Sequence, residues 1–153
     1  MSRMELTDGS PVPEDRSHTQ IDPNTGQQKG YIVLSPEERA KGFVKPLRHS
    51  YIHKVCRSRT TMGRSIAETY ARDPYFYSGT FCCRCAAHFD LDQFDWEDGE
   101  PMDPLLQEDW RVEHEAKAAR ETEERRVRRI AELKRELAEL EAAQPVGKDG
   151  GAT

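Results

Sequence analysis

The chain has 153 residues, of which 35% are hydrophobic and 33% charged, with a mean hydropathy of −0.89 and a formal net charge of −5 at pH 7. That balance excludes one core built from the whole length and predicts a small folded piece flanked by solvated segments. No window approaches the ~18 apolar residues of a membrane span, and the polar N-terminus lacks the apolar segment of a secretory leader, so a soluble, intracellular protein is expected.

Residues 1–29 carry almost no apolar side chains and are rich in Gly, Pro, Ser, Asn and Asp, which predicts a disordered tail. The folded part is expected to begin at Gly30. Tyr31-Ile32-Val33-Leu34 favours a short strand, and Ser35-Pro36-Glu37-Glu38 reads as a helix start with a capping box, stopped near Gly42. Leu47 to His53 predicts a strand with Tyr51 and His53 on one face. Thr60 or Thr61 is expected to cap a helix to Arg72, with Met62, Ile66 and Tyr70 in one apolar stripe, ended by Asp73-Pro74. Thr80-Phe81 and Phe94 to Trp96 read as strands. Asp103-Pro104 opens a long charged helix to Ala143, about 60 Å at ~1.5 Å per residue. In it Ile130, Leu133, Leu137 and Leu140 occupy a and d positions over two heptads, a seam that permits a short coiled coil and dimerisation without requiring either. A flexible tail, residues 144–153, is expected after it.

All four cysteines lie between His53 and His88, as His53-Lys-Val-Cys56 and Cys82-Cys83-Arg84-Cys85-Ala-Ala-His88. In an x-x-spaced pair both side chains converge on one point, so two such turns facing each other supply a tetrahedral N/S set for structural Zn²⁺. In a reducing compartment clustered cysteines point to metal rather than disulfides. Cys56, Cys82 and Cys85 belong to every sensible scheme. The fourth ligand is His53 or His88, and His53 is favoured because it gives each knuckle two ligands. The predicted fold class is α+β, with a small zinc-stabilised, ribbon- or knuckle-like module over 30–102, a disordered head and a long C-terminal helix over 103–143. A domain of roughly 70 residues has a marginal core, which a structural metal commonly stabilises.

The module has a basic half and an acidic half. From Gly30 to Arg72 nine Lys/Arg face three Glu, a balance of +6, whereas Asp73 to Asp103 holds eight acids and one base, a balance of −7. The segment 45–59, with Arg48, Lys54, Arg57 and Arg59, has the composition of a nucleic-acid-binding ribbon face. The competing reading is that these charges balance the acids after Asp90. No HExxH, nucleophile elbow or deaminase signature is present, so the expectation is a non-enzymatic binding protein with a protein partner. Nucleic-acid binding through 45–59 is the alternative, and a metal-dependent nuclease stands third; His49 and Asp90 are the groups a zinc enzyme could draw on, but no catalytic residue is assigned.

Gly30 to Val44, Thr60-Thr61-Met62, Ile66 to Pro74 and Thr80-Phe81-Cys82 with Cys85, His88 and Trp96 resemble a group of small zinc-ribbon-like proteins of actinobacterial bacteriophages and prophages. The resemblance covers roughly Gly30 to Gly99 and implies a phage-borne, zinc-binding protein working in the cytoplasm of a bacterial host. In that group the first knuckle reads Cys-Gly, where a glycine relieves the tight turn; here Arg57 follows Cys56.

Overall fold

The computed structural model describes residues 2–144. Within them the chain forms β1 (Met4–Leu6), β2 (Ile32–Leu34), α1 (Pro36–Arg39), β3 (Ser50–His53), β4 (Arg59–Thr61), α2 (Arg64–Arg72), β5 (Gly79–Cys82), β6 (Ala87–Asp90), β7 (Phe94–Trp96) and α3 (Pro104–Ala143). The strands make three small antiparallel sheets, β1-β2, β4-β3-β7 and β5-β6, so the fold is α+β. Two compact units divide the chain at Arg111 and Val112. The first unit therefore starts well before Gly30 and takes in the opening turns of α3.

The core of that unit lies between α2 and the β4-β3-β7 sheet. Tyr51, Met62, Ala67, Tyr70, Leu91, Phe94, Trp96 and Met102 are buried together with Cys82. Tyr51 meets Phe94 and Trp96 edge-on, and Tyr70 meets Trp96 at 89°. Such edge-to-face pairs add to the area term. Truncating a ring this central, Phe94 at 0% exposure or Trp96 at 3%, costs about 3–5 kcal/mol. In β3 Tyr51 and His53 point inward while Ser50 and Ile52 are half-buried, the alternation of a strand with one covered face.

Three expectations need correction. Residues 1–29 are not a disordered tail: Met4–Leu6 pairs with Ile32–Leu34, and Leu6 and His18 are buried. The polar residues that argued against order supply it locally. The carboxylates of Asp8, Asp15 and Asp22 accept backbone N–H bonds from Ser10, Ser17 and Asn24 at 2.9, 3.0 and 2.8 Å, closing turns that need no apolar core. Second, Thr60 and Thr61 do not start a helix. They lie in β4 opposite Tyr51 and Ser50, where β-branched residues suit an available strand edge, and α2 begins after Gly63. Third, the capping box is half made. Ser35 Oγ accepts from the Glu38 N–H, but the Ser35 N–H goes to the carbonyl of Arg3, and the Glu38 carboxylate pairs with Lys41 and Arg3 instead.

Asp73 ends α2, and the Asp103 carboxylate accepts from the Leu105 N–H at the start of α3. In the second unit, Ile130, Leu133, Leu137 and Leu140 are exposed along the helix. No helix among the described residues is long and apolar enough to cross a membrane. Except for Gln144, the expected C-terminal tail lies outside the described residues.

Candidate metal centre

Two hairpin turns build the centre, one after β3 and one after β5. In the first, His53 leads and the Arg57 N–H returns to the His53 carbonyl at 2.7 Å; in the second, the Ala86 N–H returns to the Cys82 carbonyl at 2.8 Å. The residue after the second candidate ligand is left-handed in both turns, Arg57 at φ 66° and Ala86 at φ 53°. The two knuckles thus repeat one backbone design. Arg57 holds this glycine-favouring conformation despite its Cβ.

Tyr51 OH donates to the Phe81 carbonyl at 2.5 Å, tying the strand before one knuckle to the strand before the other. The Thr60 hydroxyl accepts from the Cys83 N–H, a second tie between the halves. The ligand atoms of His53, Cys56, Cys82 and Cys85 consequently lie within 4.8 Å of one another. Cys56 Sγ is 3.5 Å from Cys82 Sγ, and Cys85 Sγ is 3.5 Å from His53 Nδ1. A tetrahedral ion with ~2.3 Å bonds to sulfur and ~2.0 Å to nitrogen sets S···S and S···N edges of about 3.8 and about 3.5 Å. The spacing fits such an ion, and 3.5 Å is far beyond a disulfide bond of about 2.05 Å. All four cysteines are free thiols.

The thiols do not share one proton affinity. A hydrogen bond from the Ser58 backbone holds Cys56 down to about 6, whereas partial desolvation and the neighbouring Cys82 and Cys56 push Cys85 up to about 11. Crowded sulfurs resist simultaneous ionisation because thiolates repel each other. A bound dication removes that conflict, since it stabilises every thiolate it touches.

His53 is held on all sides. It is 1% exposed, and its ring stacks on Phe89 at 4.6 Å and on Phe94 at 4.8 Å, two rings that also meet each other at 6.4 Å. With Nδ1 toward Cys85, Nε2 bonds Gln93 Oε1 at 2.9 Å. An outer partner of this kind fixes the ring and its tautomer in metal-binding histidines. No spacing rule pointed to Gln93, because it reaches the site from the 3₁₀ turn Leu91–Gln93, forty residues away in sequence.

His88 is elsewhere. It sits in β6, and its Nε2 bonds the Tyr31 hydroxyl at 2.8 Å. Cys83 is exposed, its thiol directed to the Arg59 carbonyl. The basic residues of 45–59 are mostly paired internally. Arg48 is clamped by Asp98 and Glu100 at 3.1 and 3.0 Å and lies 4.6 Å over the Trp96 ring. Lys54 faces Asp95 at 3.6 Å, and Arg59 pairs with Glu97. Arg57 is exposed. His49 Nδ1 faces the Met62 carbonyl at 3.5 Å, and Asp90 pairs with Gly79 at the end of β6.

No protein-family model matches the chain, and neither a curated protein nor a solved structure is significantly similar to it.

Proposed function

We propose that the chain is a zinc-stabilised, non-catalytic binding protein in which His53, Cys56, Cys82 and Cys85 hold one Zn²⁺ that locks two knuckles together. The observation that carries this reading is the convergence of one imidazole and three thiols, all within 4.8 Å of one another, from two repeated turns. Softness supports zinc, since an S₃N tetrahedron suits Zn²⁺ and not the oxygen-seeking Mg²⁺ or Ca²⁺. Four protein ligands close the coordination sphere and leave no position for a reacting water, which favours a structural over a catalytic ion.

Binding to another protein is the favoured use. Phe43, Val44 and Leu47 are exposed within one five-residue loop, at 46, 65 and 37%. Grouped exposed apolar side chains mark interaction surfaces more often than scattered ones do. The nucleic-acid alternative draws less support, because Arg48, Lys54 and Arg59 are each engaged by an acid. The phage origin is carried by the sequence resemblance alone.

Native mass spectrometry of the freshly reduced protein tests the proposal. One zinc per chain is expected, lost in His53→Ala and kept in His88→Ala. Metal-free wild type overturns it, as does retention in His53→Ala with loss in His88→Ala. A salt-sensitive shift with DNA or RNA, abolished in Arg48→Glu/Lys54→Glu with zinc retained, would transfer the reading to the alternative.

A further inference from the structure

The metal centre leaves unexplained a cleft of about 1070 Å³ between the N-terminal segment on one side and β4, the start of α2 and residues 76–81 on the other. That volume is at the upper end of small-molecule sites. Its charge is unlike that of the rest of the molecule. The chain has 28 Asp and Glu, yet none lines this cleft, whereas Arg16, Lys29 and Arg64 do. Arg64 leans on Glu68 at 3.1 Å, while Arg16 and Lys29 have no ion-pair partner among the described residues.

The first turn of α2 opens into the same space. Gly63, Arg64, Ser65 and Ile66 are all lining residues. Gly63 at the N-cap offers no side-chain acceptor, and the first turn carries no acid. The first returning bond comes from the Ala67 N–H to Gly63, and the N–H groups of Arg64, Ser65 and Ile66 make no hydrogen bond among the described residues. Free N–H groups and the helix dipole together favour an anion at that end.

A second, independent feature points to a ligand. His18 lines the cleft at 5% exposure, and its buried Nδ1 has no hydrogen-bond partner. Buried polar atoms are nearly always satisfied, so one left without a partner beside a cleft marks a group that something else completes. The remaining wall includes the aromatic side chains of Tyr31, Phe76, Tyr77 and Phe81. Aromatic faces accept a planar ring by stacking.

We propose that this cleft binds a phosphomonoester carrying a planar ring, of the size of a nucleoside monophosphate, with the phosphate seated on the first turn of α2. The site is separate from the four metal ligands and does not depend on the reading of the metal centre.

The test is isothermal titration calorimetry on the full, metal-loaded chain with AMP and UMP, against adenosine, uridine and inorganic phosphate. A mononucleotide is expected to bind at least about tenfold tighter than either of its parts, since phosphate and ring are held in different regions of the cleft. The decisive variant is Gly63→Asp. Gly63 has φ −70° and open space around it, so an aspartate fits. Its carboxylate supplies the missing cap and places a negative charge where the phosphate would sit. The variant is expected to melt no lower than wild type and to bind the nucleotide at least about tenfold more weakly. No heat from either nucleotide at millimolar concentration overturns the proposal. Unchanged affinity in Gly63→Asp overturns the phosphate position, and inorganic phosphate binding as tightly as the nucleotide overturns the planar ring.

Discussion

Replacing Gln93 with leucine leaves all four candidate ligands in place and removes only the group that orients one of them. In wild type Gln93 Oε1 accepts from His53 Nε2 at 2.9 Å, which directs Nδ1 to the shared point with Cys85 Sγ. A neutral hydrogen bond of this kind contributes about 1 kcal/mol net, and leaving the buried Nε2–H without an acceptor adds to the loss. Loss of an outer partner of a metal-binding histidine typically weakens binding by about 10–100-fold. The two stacked rings still restrain His53, so the low end applies, about tenfold or roughly 1.4 kcal/mol. Competition against a chromophoric zinc chelator at neutral pH measures the ratio, and Gln93→Glu, which keeps an acceptor, should retain most of the affinity. Equal affinities for wild type and Gln93→Leu would refute the argument, because Nε2 would then have no part in presenting Nδ1.

The knuckle turns give a second pair of expectations. Arg57→Gly and Ala86→Gly each relieve a left-handed residue bearing a Cβ, so each should raise stability by about 1 kcal/mol in urea unfolding of the metal-loaded protein. Gly26→Ala should do the opposite. A methyl there would stand 2.0 Å from the Ala86 carbonyl oxygen at φ +79°, so a loss of roughly 2 kcal/mol or more is expected, together with faster release of metal to a chelator. Tyr51 governs alkaline behaviour. Burial pushes its phenol from 10.0 up to about 12. Its neutral form is therefore favoured on folding, so the stabilisation is complete below pH 10 and is lost as pH rises through 12, by roughly 3 kcal/mol. Burial pushes Tyr70 and Tyr77 the same way and adds to the slope. Urea midpoints between pH 9 and 12 should fall less steeply in Tyr51→Phe than in wild type.

Where a local rule acts on neighbouring residues, the sequence sufficed. The Ser35-Pro36 helix start, the Asp73-Pro74 stop, the alternation around Tyr51 and His53 and the x-x spacing within each cysteine turn all follow from contacts within a few residues. The same rules misjudged residues 1–29 and Thr60-Thr61. An Asx turn and a free strand edge give order without apolar periodicity, and a β-strand exists only when a distant segment pairs with it.

The fourth member of the candidate metal set shows the division most clearly. By spacing alone, His53 and His88 were both eligible. The pairing of β3 with β7 sets His53 opposite Phe94, and the turn that precedes β7 brings Gln93 to its ring. The folding of the N-terminal segment brings Tyr31 to His88 instead. Residue types and their spacing determined that a thiol-rich site would form in this chain. Which histidine faces it, which glutamine orients that histidine and which cations remain without an acid depend on contacts between residues 40 to 57 apart. Those contacts exist only once the strands have paired.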